Sequence, residues 1–134
     1  MATKEEVVRT LLNTHFIFRQ LSAEYRQGLE GAFETERFPA GQKVAEMHTP
    51  VTGMYYVYSG RVRFKGMNEQ GKRVSLGEQP EKSTFGELSL ITDTNWDQQV
   101  FASTECILLK LPAAKIRGMM QADKNLQQLL NKQV

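Results

Sequence analysis

A chain of 134 residues with 40% hydrophobic content is long enough for one domain with a packed core, and no shift in composition marks a second. The formal net charge is only +2 with Lys and Arg scattered, which argues against direct nucleic acid contact by this segment. A single cysteine excludes an intrachain disulfide and fits a cytoplasmic setting, and with no apolar run of about 20 residues no membrane insertion by this segment is expected.

Thr3, Lys4, Glu5 and Glu6 have capping-box spacing, and Val7, Val8, Leu11 and Leu12 share one helical face, which predicts a first helix of about ten residues. Phe16, Ile17, Phe18 and Leu21 follow as core candidates. Ser22 is placed to cap a second helix that carries Tyr25 and Leu29 and closes near Gly31. From Phe33 the pattern turns extended: Glu34 to Phe38 reads as a strand, Pro39 to Gln42 as a turn, and Lys43 to Glu46 as a second strand. His48, Pro50 and Gly53 mark an irregular connection. Met54, Tyr56, Tyr58, Val62 and Phe64 then share one parity and Arg61, Arg63 and Lys65 the other, predicting two strands interrupted at Gly60 with one face buried.

Asn68 to Gly71 reads as a hairpin connection, after which Val74 and Leu76 continue the sheet. At Thr84, Phe85, Gly86, Glu87, Leu88, Ser89, Leu90 and Ile91 an extended segment turns straight into a short helix. Thr92 to Asp97 is then a loop, and Gln98 to Ala102 and Cys106 to Leu111 are strands, with Cys106 expected as a buried structural thiol. Pro112 suits the first position of a helix with Ile116, Met119 and Met120 as its stripe, and Asp123 caps a last helix bearing Leu126, Leu129 and Leu130. Many short strands with turns between them predict a mainly β fold with flanking helices. The expected organisation is one domain over 1–134, with helices over 1–32, β structure over 33–111 and helices over 112–134. Since the last helix has nothing within the domain to pack on, the chain reads as a piece of a longer protein.

The run from Phe85 to Ile91 resembles the phosphate-binding cassette of the cyclic-nucleotide-binding domain, the β-roll module of bacterial catabolite activators, kinase regulatory subunits and gated channels. Gly41, Gly53, Gly60 and the flanking helical segments extend the likeness over nearly the whole chain. The resemblance implies a double-stranded β-helix, a jelly-roll-like β-roll, with cAMP or cGMP as the ligand class. It also implies an output domain, a protein partner or a second copy of the chain, in a homodimer, reached through the C-terminal helix. Backbone N–H groups from Gly86 to Ser89 would hold the phosphate. Glu87 would accept from the ribose hydroxyl, or it serves only as an acid in the first helical turn.

The family's cassette carries an arginine nine or ten residues beyond its glutamate, where this chain has Trp96 and Asp97. A charge-assisted hydrogen bond contributes about 1.5 to 3 kcal/mol, so its loss predicts binding weaker by roughly 10- to 150-fold. Asp97 brings negative charge, and Gln98 and Gln99 bring only neutral hydrogen bonds. Arg61, Arg63, Lys72 and Arg73 either replace the lost cation or form a solvated strand face. Trp96 either plugs the seat, points outward as a partner anchor, or packs against a sheet edge. With two histidines, His15 and His48, in unrelated contexts, no metal cluster and no enzyme are expected. The expectation is a regulatory or docking domain with weak or no cyclic-nucleotide binding; the alternative is a genuine cyclic-nucleotide or small-anion sensor controlling an attached output domain.

Overall fold

The computed structural model describes residues 2–122, so the helix expected from Asp123 lies outside the described residues. The chain divides into two compact units, one made of the residues up to 33 with those from 111, the other of residues 34–110. In the first, helix α1 spans Lys4–Thr14 and is capped by Thr3, whose hydroxyl accepts the Glu6 N–H at 3.1 Å. It buries Val8, Leu11 and Leu12, the face that the apolar spacing marks. A 3-10 turn, Phe18–Gln20, follows, and Ile17, Phe18 and Leu21 are buried around it. Phe16 is not a core residue: it is 43% exposed and stacks on His15.

Helix α2, Ala23–Leu29, begins at Ser22, whose hydroxyl accepts the Tyr25 N–H. Helix α4, Ala113–Ala122, buries Ala113, Ile116 and Met119. Pro112 closes the preceding strand instead of opening this helix. A fixed φ near −65° and a missing N–H suit a strand end as well as a helix start.

The second unit holds the strands β1 (Glu34–Phe38), β2 (Lys43–Ala45), β3 (Gly53–Ser59), β4 (Val62–Met67), β5 (Arg73–Gln79), β6 (Thr84–Phe85), β7 (Gln99–Ala102) and β8 (Cys106–Pro112), with helix α3 (Glu87–Thr92) between β6 and β7. They form two four-stranded sheets, ordered β1-β8-β3-β6 and β2-β7-β4-β5. This is the mainly β, roll-like architecture expected from the spacing of the turns. The β4–β5 hairpin is closed by Asn68, whose side-chain oxygen accepts the N–H groups of Gln70 and Lys72.

Strand parity holds on β4, where Val62 is fully buried and Arg61 and Arg63 are exposed. On β3 it does not. Met54, Tyr55, Tyr56 and Val57 are all buried, so β3 is covered on both faces along this stretch.

Gly60, at φ +90°, connects β3 to β4 where a Cβ would stand 2.7 Å from the Cβ of Cys106 and closer still to the Glu105 carbonyl. Cys106 itself is buried, and burial pushes its thiol pKa up. Gly60→Ala is therefore expected to destabilise the fold by roughly 1 to 3 kcal/mol, from left-handed backbone and backbone collision together. Urea unfolding checks this: a midpoint equal to that of the unmodified chain would remove the steric account.

Candidate functional site

β6 is only two residues long, pairing Phe85 with Tyr55 and Thr84 with Tyr56. The chain then passes through Gly86 in left-handed geometry, φ 93°, and enters α3 directly. A side chain at this position would meet the Gly53 carbonyl at 2.9 Å and Cη2 of Trp96 at 3.1 Å. Gly86 is thus approached closely on two sides, by the Gly53 carbonyl and by the indole of Trp96. Within α3, Leu90 is buried and Leu88 is 61% exposed. The helix ends at Asp93, φ 54°, with the Thr94 N–H returning to the Ser89 carbonyl at 2.9 Å. Ser89 is half-buried. The Glu87 carboxylate accepts the Thr84 hydroxyl at 3.0 Å, so it is steered back over the β6 end of the turn.

Trp96 is 7% exposed and completes an aromatic group. Its ring centroid lies 6.1 Å from Phe85 and 6.3 Å from Tyr55; Tyr55 stacks on Phe85 at 5.1 Å, and Phe64 meets Phe85 edge-on at 5.4 Å. Burial is the first cause and the Glu36 charge the second that push the Tyr55 phenol up to about 12. Lys110, ion-paired to Glu36 at 3.8 Å, has its Nζ 5.6 Å from the Tyr55 ring centroid. The inward setting of Trp96 rules out the outward partner anchor.

The backbone around the indole is clamped. Trp96 donates its N–H to the Thr49 carbonyl at 2.9 Å and accepts the His48 N–H at 2.7 Å, while the Asn95 side chain donates to the His48 carbonyl at 3.2 Å. His48 adopts φ 65° in that turn. At its start, Glu46 accepts hydrogen bonds from Lys43, from the Gln99 side chain and from the Met47 N–H, the latter two at 2.8 Å. Those bonds, led by Lys43, hold the Glu46 carboxyl down to about 2.

The structure brings Phe85, Gly86 and Trp96 into one cluster, with Glu87 bonded alongside. It leaves Leu88 and Asp97 exposed and Gln98 half-buried. Gln99 departs from expectation: its amide is 2% exposed and donates to Glu46 instead of toward the seat. The register explains this, since Gln99 pairs with Lys65 while its neighbour Val100 pairs with the inward Phe64.

The basic residues on β4 also turn away. Arg61 and Arg63 reach Glu78, at 3.9 and 3.3 Å, and Lys65 lies over Phe101 at 4.8 Å. Arg61 and Arg63 are exposed, on the parity opposite to Phe64. Lys72 and Arg73 are exposed at the β4–β5 hairpin. Sequence reasoning missed Tyr55 and Glu46 altogether. Tyr55 carried a usable signal in the unbroken apolar run of β3; Glu46, whose partner Gln99 is 53 positions away, carried none.

The lowered pKa of Glu46 has a defined pH signature. Because the folded value, about 2, lies below the ordinary 4.5, its stabilisation is complete above about pH 4.5 and is lost as pH falls toward about 2. The gap in urea midpoint between the unmodified chain and Glu46→Gln should therefore be widest near about pH 6 and close by about pH 2. A gap that does not change with pH would show that the charge of Glu46 is not what stabilises.

Comparison with known proteins follows the same geometry. The model of the cyclic nucleotide-binding domain matches residues 35–123. The global nitrogen regulator of Nostoc sp. is 26% identical over 116 residues, covering 84% of this chain and 52% of that protein. The chain thus spans about half the length of that relative. It is similar in fold to the sensor domain of the transcriptional regulator DNR from Pseudomonas aeruginosa, with a TM-score of 0.79 at 23% identity over 96% of this chain and 87% of that one. It is similar also to the regulatory domain of Toxoplasma gondii PKA crystallised with cAMP, with a TM-score of 0.77 at 21% identity over 97% of this chain and 49% of that one. At such identities the structural likenesses show the fold alone. The family match over more than half the chain shows more: this chain belongs to the cyclic nucleotide-binding domain family.

Proposed function

We propose that this chain is a regulatory or docking domain of cyclic-nucleotide-binding fold whose nucleotide seat is filled by its own Trp96, leaving weak or no affinity for cAMP and cGMP. One observation carries the reading: the indole is 7% exposed and its edge lies 3.1 Å from where a side chain on Gly86 would begin. By the resemblance, the backbone N–H groups beside it, from Gly86 to Ser89, are those that would hold a phosphate. An indole buries about 150 to 250 Å², which corresponds to roughly 4 to 6 kcal/mol at about 25 cal/mol per Å². A ligand that must displace it loses roughly 700- to 20,000-fold in affinity. The missing guanidinium, roughly 10- to 150-fold, acts in the same direction.

A second reading is a genuine sensor of a cyclic nucleotide or another small anion, in which Trp96 moves aside. Membership of the family supports it, as do the backbone turn at Gly86 and the position of Glu87. In either reading the domain would act within a longer cytoplasmic protein or on a partner, since the match covers only 52% of the nitrogen regulator that it resembles.

Calorimetry with the unmodified chain separates the two. No heat of binding is expected with cAMP or cGMP at about micromolar concentration, whereas Trp96→Arg, alone or with Asp97→Ala, is expected to gain about tenfold or more. Micromolar binding of either nucleotide by the unmodified chain would overturn the first reading and establish the second.

A further inference from the structure

The indole of Trp96 is held by more than its own packing. Two segments far apart in sequence, residues 46–50 and 94–99, run side by side, with Pro50 and Asn95 bridged and the Trp96 backbone bonded to His48 and Thr49 on either side. Backbone bonds of this kind persist only while the two segments stay aligned. The Thr49 hydroxyl donates to the Glu46 carbonyl at 2.6 Å, which closes the first segment into a turn. Across the gap, the Asn95 side chain reaches the His48 carbonyl, but that bond is exposed to solvent. The part-buried tie is the one from the Gln99 amide to the Glu46 carboxylate at 2.8 Å. Gln99 is 2% exposed, and its side-chain oxygen finds no hydrogen-bond partner among the described residues. A buried amide left half-satisfied is unfavourable by itself. Its presence at the foot of the Trp96 loop is accounted for by the bond that it donates.

We propose that Glu46 and Gln99 are positioning residues for Trp96: the carboxylate–amide tie fastens the turn at 46–50 to the start of β7 and so keeps the indole seated against Gly86. Glu46 is suited to this because one oxygen serves both Gln99 and the Met47 N–H, while the other takes Lys43. The anchor is charged, and its bonds are correspondingly stronger than neutral ones. The hydrogen bonds of both residues run elsewhere than to the indole, Gln99 to Glu46 and Glu46 to Lys43, Met47 and Gln99. Their effect passes through the alignment of the two segments, so removing the tie releases the loop without removing any atom of the seat. The inference rests on the reading that Trp96 fills the nucleotide seat, and the experiment keeps the two apart.

Trp96 is the sole tryptophan, so its emission maximum and its quenching by acrylamide report on this loop alone. The full chain is compared with Gln99→Met, which conserves volume and removes the donor, and with Glu46→Ala. Each is measured well below its own melting temperature, followed by circular dichroism. Both variants are expected to raise the quenching constant about three- to tenfold and shift the emission to the red, as a loop that opens locally would. Glu46→Gln keeps an acceptor oxygen for Gln99 and Met47, and Lys43→Ala leaves the tie intact; both are expected to retain a shielded indole. Combining Glu46→Ala with Gln99→Met should add nothing to either alone, because the two act as one unit.

Folded Gln99→Met in which Trp96 stays as shielded as in the unmodified chain overturns the proposal, and this holds even if Glu46→Ala does not fold. Calorimetry with cAMP distinguishes the two failures. A freed indole with no gain in cAMP affinity supports the tie and counts against the filled seat. A gain in Trp96→Leu beside an unmoved indole in Gln99→Met supports the filled seat and overturns the tie.

Discussion

The edge of the Trp96 indole lies against the backbone of Gly86, and the site takes its form from that contact. It requires a residue without Cβ at the mouth of α3, in left-handed geometry, with the Gly53 carbonyl on the other side. Gly86 satisfies both demands. The turn it makes carries Phe85 inward onto Tyr55, so the aromatic group and the helix start are set by the same residue. Phe64 from the opposing sheet then meets Phe85 edge-on, which ties the seat to the interior of the β unit. Any side chain at Gly86 would push on both neighbours at once.

Much of the frame is legible in the sequence because local physics decides it. Thr3 and Ser22 cap their helices, Asn68 closes its hairpin, and the alternation from Val62 to Lys65 sorts a buried face from a charged one. Each of these is a short-range rule that tertiary context does not contradict. The failures share a different cause. Phe16 belongs to an apolar pattern but is 43% exposed, because apolar character alone does not specify which surface a turn presents. Tyr55 sits on the parity that alternation assigns to solvent, but successive residues of β3 from Met54 to Val57 are buried, so neither face is open to solvent there.

The site itself was legible only in part. The run from Phe85 to Ile91, and Trp96 and Asp97 beyond it, stand in the sequence, and the family resemblance rests on that run. The direction of Trp96 does not, since an indole in a polar loop has several places to go. Nor does the commitment of Gln99, which depends on a partner 53 positions earlier brought alongside by sheet register. The behaviour of Arg61 and Arg63 was present in their parity all along. Residues that alternate with the buried Val62 point away from anything that Phe64 faces, so proximity in sequence to the seat gave them no access to it.

The electrostatics then follow from which groups are already engaged. Glu78 takes up Arg61 and Arg63, and its carboxyl is held below its usual range first by the Ser103 hydroxyl and then by these cations. Lys43 is drawn to Glu46, and Lys110 to Glu36 and the Tyr55 ring. Among the described residues, α3 offers an anion at Gly86 the N–H groups of its first turn and its dipole; the helix has six residues, and a dipole so short contributes a few tenths to about 1 kcal/mol. Against that stands the burial of an indole, several times larger. On the reading that the indole fills the seat, this balance favours the chain's own aromatic over an external phosphate. Inverting the preference takes either a cation placed at position 96 or a loosening of the segments that hold the ring.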